Sequence, residues 1–294
     1  MTVDLIASIH ARLLNKAKAR GEDFNLVLTR YAIERFLYRL SLAPARDVFW
    51  LKGALLFDLW FEVPHRPTRD ADFLGFGPID IETLASTVRE ICDIVVEDGM
   101  TFDPASIKVE EIREEARYGG LRVRLVAKLG NARSTVQLDV GYGDAVTPGP
   151  EEAVYPTLLD DQPAPRLRVY PRAAVAAEKL EAIVSLGMAN SRMKDYFDLR
   201  ALAHEGVLDA RQLSEANAAT FQRRQTSVPE NMPLGLSDEF ALDTMKQAQW
   251  RAFLGKNRLD APTLNEVIEE VRNFVTEPLE LARQMNMNRG TPPP

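Results

Sequence analysis

The sequence predicts an α+β fold, a mixed sheet with flanking helices followed by a mainly helical C-terminal domain, and three observations carry that prediction. Residues 107–112, 121–129 and 135–142 alternate apolar with polar side chains and are rich in β-branched residues, the pattern of half-buried strands. Segments on either side of them repeat apolar residues at helical spacing instead. A stretch rich in proline and acid, residues 145–165, separates the two patterns and reads as a linker or surface excursion. The expected division is therefore residues 1–165 and residues 166–294.

The elements follow in order. Residues 4–19 bring Leu5, Ile6, Ile9, Leu13 and Leu14 to one helical face, and Gly21 closes that helix. Residues 25–40 repeat the pattern with Leu26, Ala32, Ile33, Phe36, Leu37 and Leu40. A short apolar strand at 48–51 meets the small pair Gly53-Ala54, and a helix is expected over 55–62. Asp70-Ala71-Asp72 opens the next strand, and an amphipathic helix is expected over 81–96. Past the linker come a strand at 166–170, a helix carrying Lys179, and a helix carrying Asp195 and Asp198. Residues 226–237 hold Pro229 and Pro233 and read as a loop before helices at 241–253 and 263–274. The tail from Arg289, ending in three prolines, is expected to be disordered.

Composition frames what such a chain can be. With 294 residues, 46% hydrophobic and 27% charged, it has material for one large or two medium domains with a sizeable core. One cysteine, Cys92, forms no internal disulfide and points to a reduced, cytoplasmic compartment. The first ten residues carry an early acid and no long apolar run, so a secretory signal is not expected, and no run of about 18 apolar residues announces a membrane span. A net charge of −7 and a pI near 5.2 exclude a surface coated in basic residues for bulk nucleic-acid binding. An RNA partner would have to meet a local patch: Arg117, Arg122, Arg124, Lys128 and Arg133 on the central strands, or Arg192, Lys194 and Arg200 on later helices. The alternative is that these are solvated faces with acids nearby. Acidic charge elsewhere would suit a basic protein partner.

The chemistry concentrates in Lys52-Gly53-Ala54 and in Arg66-Pro67-Thr68-Arg69-Asp70-Ala71-Asp72. Side chains on a strand alternate faces, so Asp70 and Asp72 point to the same side. Two carboxylates so placed suit a divalent metal such as Mg²⁺, which binds through one or two carboxylates plus phosphate oxygens. A strand-to-helix turn made of small residues lets backbone N–H groups approach a triphosphate. Arg66 is a phosphate-binding candidate, and Thr68 offers a hydroxyl close to the acidic pair. Asp139 lies within an apolar strand, where an ionised carboxylate is costly unless it is paired or metal-bound; it is either a third site carboxylate or a strand-end acid paired with an arginine. Asp144, beside Gly143, reads as a turn residue. Lys179 by default is a solvent-exposed lysine. Asp195 and Asp198 share a helix face and repel unless a cation stands by, a role Arg192 or Lys194 could fill. His10 and His204 read as ordinary helix residues, while His65 could contact a substrate. Zinc spacing, a Gly-x-Ser-x-Gly elbow and a Walker A run are all missing from the sequence.

The small-residue turn, the helix and the Asp-x-Asp strand together resemble polymerase-β-like nucleotidyltransferases. Within that superfamily the chain is most similar to the AbiEii/AbiGii-type toxins of bacterial toxin–antitoxin and phage-defence systems, the MenT toxins of mycobacteria among them. The similarity runs from about Val48 to Ala203 through Lys52-Gly53-Ala54, Arg66-x-Thr68-x-Asp70-x-Asp72, the Lys179 helix and Arg192-x-Lys194-Asp195-x-x-Asp198. Ala54 departs from the Gly or Ser usual in the family, which removes a hydroxyl that could touch phosphate. The resemblance implies a metal-dependent enzyme in which Asp70 and Asp72 hold Mg²⁺ against a nucleoside triphosphate. It further implies that Asp139 helps to activate an acceptor hydroxyl, that Lys179 balances phosphate charge, and that one of Asp195 and Asp198 completes the site. It also makes Thr68 a candidate for regulatory phosphorylation. The implied acceptor is the 3′ end of tRNA, blocked thereby for aminoacylation and translation, and the implied protein partner is an antitoxin. Two alternatives stand beside it: transfer to a protein or small-molecule hydroxyl, and a catalytically weak antitoxin-binding module.

Overall fold

Alternation in the centre of the chain becomes a seven-stranded mixed sheet in the computed structural model, which describes residues 3–62, 65–112 and 119–289. Two helices come first, α1 (Val3–Arg20) and α2 (Phe24–Leu42). Gly21 leaves α1 at a φ of +63°, and the Asp23 carboxylate accepts the N–H groups of Asn25 and Leu26 to start α2. Strand β1 (Phe49–Lys52) runs into a 3-10 turn, Gly53–Leu56, and a single-turn helix α3 (Phe57–Trp60). The expected helix over 55–62 is thus cut short, because Phe61 already takes extended backbone. Then come β2 (Asp70–Gly75), α4 (Ile81–Cys92), β3 (Met100–Ile112), β4 (Gly120–Leu129), β5 (Ala132–Tyr142), β6 (Glu151–Val154) and β7 (Arg166–Val169).

The strand order is β3-β4-β5-β2-β1-β7-β6, with β2–β5 and β1–β7 parallel and the other neighbours antiparallel. Leu51, Ala71, Phe73, Leu138, Val140, Val123 and Leu125 lie in register on one face and are buried. Helices α2 and α4 cover that face: Phe36 of α2 meets Phe102 of β3 at 5.8 Å, and Thr29 hydrogen-bonds Ser134 of β5 at 2.8 Å. A buried pair ties α2 to the start of β3, with Arg39 donating to both carboxylate oxygens of Asp98 at 2.6 and 3.1 Å. The opposite face carries Lys52, Asp70, Asp72, Asp139, Arg122 and Arg124.

Three expectations change. Strand β3 begins at Met100 rather than near residue 107, because the register shifts between Asp103 and Lys108 and Pro104 there hides the alternation. Helix α4 ends at Cys92 rather than at residue 96, since Val95 is 90% exposed and packs on nothing. The linker is partly ordered: Glu151–Val154 pairs with β7 as the sheet's edge strand.

Contacts divide the chain into two compact units, the described residues up to Gly143 with Glu151–Val169, and Asp144–Pro150 with the described residues from Tyr170 onward. Strand β7 lies in the first unit because it pairs with β1. The second unit is helical: α5 (Arg172–Leu186), α6 (Met193–Glu205), α7 (Ala210–Arg223), α8 (Asp238–Leu242), α9 (Thr244–Asn257) and α10 (Leu264–Arg289). Alanines let α5 and α7 approach closely, Ala173 and Ala177 packing against Ala216. The expected helix over 241–253 is split at Asp243, whose extended backbone and carboxylate cap α9. Helix α10 continues well past Phe274, carrying Pro278 inside it. The tail from residue 290 and Arg117 lie outside the described residues. Among the described residues no helix is long and apolar enough to cross a membrane.

Candidate functional site

Register brings the acidic residues together. Asp72 stands opposite Asp139 across the parallel β2–β5 pair, and Asp70 opposite Gln137, so all three carboxylates project from the sheet face opposite the one that α2 and α4 cover. Ligand oxygens of Asp70, Asp72 and Asp139 lie within 4.8 Å of one another, each side chain half-buried. Oxygens on opposite sides of a magnesium ion stand about 4 Å apart, since each bond is about 2.1 Å, so small rotations would close the three around one ion. Their donor set is hard oxygen only, which suits magnesium or manganese rather than zinc. Three like charges at this separation also repel strongly in the absence of a cation.

Neighbours hold each carboxylate. The Thr68 hydroxyl, buried in the approach to β2, donates to Asp70 Oδ1 at 2.6 Å. Arg122 donates to both oxygens of Asp139, at 2.8 Å from Nε and 2.7 Å from Nη2, the two-pronged geometry that fits guanidinium to carboxylate. That hydrogen-bonded pairing drives Arg122 further into its charged form. Asp139, inside β5 rather than at its end, is thus paired with an arginine and also lies within the acidic cluster. Gly53 fits against Asp72. It takes a φ of +75°, and a Cβ added there would come within 2.1 Å of Asp72 Oδ2 and 2.9 Å of Asp72 Cβ. Only glycine meets both demands, the left-handed backbone and the absent side chain. Lys52 is the cross-strand partner of Asp72, and its Nζ lies 3.5 Å from where a Cβ on Gly141 would sit, so its ammonium reaches over the same face.

Other candidates fall into place around these. Ala54 follows Gly53 within the 3-10 turn. Arg66 is half-buried in the approach to β2, and His65 stacks on Phe57 with centroids 4.4 Å apart and rings 14° from parallel. Cys92 is buried, and its burial pushes the thiol up to about 12, which leaves it unreactive near neutral pH.

Lys179, Asp195 and Asp198 come together in the second unit. Lys179 is buried, contrary to the default of an exposed lysine, and its ammonium lies 2.6 Å from Asp198 and 3.2 Å from Asp195. It is the cation that lets two fully buried aspartates share a helix face, helped by Arg192 at 2.6 Å from Asp195. Lys194 is exposed. Burial alone would push the Asp195 carboxyl up, but Lys179 and then Arg192 outweigh it and hold it below the usual carboxylate range. Sequence reasoning missed a second cluster here, where Arg224 meets Glu181 at 2.9 Å, Asp144 at 3.4 Å and Glu178 at 3.5 Å. Nothing in the local pattern marks an arginine at the end of α7 as their partner. Asp144, expected as a turn residue, is an ion-pair member just after the bend at Gly143.

A family model described as nucleotidyl transferase AbiEii toxin, type IV TA system, matches residues 35–277, wider than the stretch whose motifs suggested it. Among solved structures, MenT4, a nucleotidyltransferase toxin from Mycobacterium tuberculosis H37Rv, is similar in fold with a TM-score of 0.53 at 19% identity, covering 95% of this chain and 99% of that one. JHP933 from Helicobacter pylori gives a TM-score of 0.49 at 16% identity over 90% of this chain and 96% of that one. No curated protein matches the chain by sequence.

Proposed function

Because the chain belongs to the AbiEii family of nucleotidyltransferase toxins of toxin–antitoxin systems, we propose that it transfers a nucleotide from a nucleoside triphosphate to the 3′ end of tRNA, using the carboxylates on its open sheet face. The observation that carries this reading is the juxtaposition of Asp70, Asp72 and Asp139 with Gly53 fitted against Asp72. Asp70 and Asp72 would hold Mg²⁺, which supplies charge neutralisation at the triphosphate and lowers the pKa of a bound hydroxyl. The reaction makes one bond and breaks one: the acceptor oxygen bonds to the α-phosphorus, the bond to pyrophosphate breaks, and the acceptor loses its proton. Asp139, held by Arg122, would help to activate the acceptor hydroxyl and take up that proton. Thr68 keeps Asp70 in position from behind. Lys52, on the same face, sets positive charge where the triphosphate would lie. Arg66 and the backbone of Gly53 and Ala54 are the remaining phosphate-binding candidates.

Capping the 3′ end of tRNA would stop its aminoacylation and so translation, in the cytoplasm, until an antitoxin partner intervenes. The test is transfer of label from a nucleoside triphosphate into separate RNA, protein and metabolite pools, with Asp72→Asn as control. Label in RNA that disappears in the variant supports the reading, and full transfer by Asp72→Asn sinks it. Ala54, which departs from the Gly or Ser usual in the family, favours a second reading as a weak enzyme retained for antitoxin binding. Failure to bind any nucleoside triphosphate in the presence of Mg²⁺ would favour that reading.

A further inference from the structure

Strands β4 and β5 extend well beyond the acidic cluster, and their open face is unusual for this acidic chain. Outward positions on β4 are Arg122, Arg124, Val126 and Lys128, with Arg133 opposite Lys128 on β5 and Lys108 opposite Arg124 on β3. Beyond Arg122, which is committed to Asp139, this face sets four cations, Lys108, Arg124, Lys128 and Arg133, against two anions, Glu110 and Asp103. Positive charge thus gathers here although the chain as a whole carries −7. The acids stand on β3, the outer strand, and their pairs reach solvent: Arg124 with Glu110, exposed, at 2.6 Å and Lys128 with Asp103, half-buried, at 3.0 Å. Pairs of this kind contribute little and exchange readily for other anions. Lys108 and Arg133 are exposed and have no ion-pair partner among the described residues.

From Arg122 to Lys128 the strand advances about 20 Å, six residues at about 3.3 Å each. The row begins at the carboxylate cluster and ends at the β4–β5 turn. We infer that this face is a track for the phosphate backbone of a single-stranded RNA end, which it delivers with its terminal hydroxyl at Asp139. A charged row of that length holds the last few nucleotides of a strand rather than a folded RNA as a whole. Its lysines and arginines can all engage phosphate oxygens, so the row holds a strand through its backbone.

This inference rests on the nucleotidyltransferase reading with an RNA acceptor, and the experiment separates the two. The full-length protein, the double variant Lys128→Glu/Arg133→Glu and the milder Lys128→Gln/Arg133→Gln are titrated with a labelled single-stranded oligoribonucleotide at several salt concentrations. Circular dichroism melting verifies folding, and transfer to tRNA is measured in parallel. Charge reversal is expected to weaken RNA binding at least tenfold, with the Gln variant in between, and to leave triphosphate affinity unchanged. Losing two phosphate contacts should reduce the slope of log K against log salt by about 1.4. Wild-type transfer to RNA with undiminished RNA affinity in both folded variants overturns the track and leaves the reading intact. Absence of wild-type transfer to RNA, with label appearing in protein or metabolite, overturns the reading and the track with it.

Discussion

Replacing Gly53 by alanine separates two penalties that the structure places at one residue. The first is conformational: a residue with a Cβ at a φ of +75° costs about 1–2 kcal/mol. The second is contact. The new methyl would lie 2.1 Å from Asp72 Oδ2, 2.8 Å from its Cγ and 2.9 Å from its Cβ. Rotating the carboxylate relieves the first two, but the Cβ moves only with the backbone, so β1 and β2 must part by roughly 0.5–1 Å to reach ordinary carbon contact distance. Overpacking of this kind costs about 1–3 kcal/mol. A misplacement near 1 Å in a reacting site lowers rate by about a hundredfold. Gly21 supplies the control, since it sits at a φ of +63° with no atom within 4 Å of where a Cβ would stand. Gly21→Ala should therefore lose about 1–2 kcal/mol in urea unfolding and keep its transfer rate. Gly53→Ala should lose about 2–5 kcal/mol and about two orders of magnitude in rate at saturating nucleotide. A folded Gly53→Ala protein that transfers at the wild-type rate would refute the argument that this glycine shapes the site.

Thr68→Val, which removes the donor to Asp70 and keeps the shape, should weaken Mn²⁺ binding measured by calorimetry about 10-fold or more, while Thr68→Ser retains it; equal affinities would remove Thr68 from the site's support. Lys179→Met leaves Asp195 and Asp198 buried without their shared cation and should cost about 3–5 kcal/mol of stability in urea unfolding; a loss below about 1 kcal/mol would show that the cluster is not charged as drawn. Stability should also respond to pH through two groups of opposite sign. Burial raises Glu34 from 4.5 to about 7, against the pull of Arg35 and of the Leu158 N–H. Between those values the folded state keeps a proton that the unfolded state releases. Its contribution is therefore complete below about pH 4.5 and lost as pH rises to 7, by at most about 3–4 kcal/mol, and Glu34→Gln should abolish that slope. Asp195 is held low, so its contribution is present above its unfolded pKa and lost on acidification; unfolding free energies measured from about pH 3 to 8 should fall at the acid end through this group.

How much of this was readable beforehand depends on the range of the interaction. Alternation gave β4 and β5 and the shared face of Asp70 and Asp72, because that signal lies within each strand. Long helices with one apolar stripe, α1 and α2, were legible for the same reason. The irregular start of β3 and the edge strand β6 were not, since Pro104 interrupts one and prolines surround the other. At the candidate site, the acidic residues could be named from the motif but the side chains that hold them could not. Arg122 could be singled out only as part of a basic patch; its grip on Asp139 follows from β4–β5 register, which spans 17 positions in sequence. Lys179 looked exposed because nothing in an alanine-rich helix announces that its partners arrive 16 and 19 residues later. Local pattern fixes which face a side chain takes, whereas charge pairing between elements depends on tertiary contacts.

The most direct test of the central claim is incubation of the purified protein with total tRNA, Mg²⁺ and each α-labelled nucleoside triphosphate in turn, with Asp70→Ala alongside. The account predicts label entering tRNA at its 3′ end from at least one nucleotide and none in the variant. Label that enters equally with Asp70→Ala, or that enters no RNA while appearing in protein or metabolite, would contradict it.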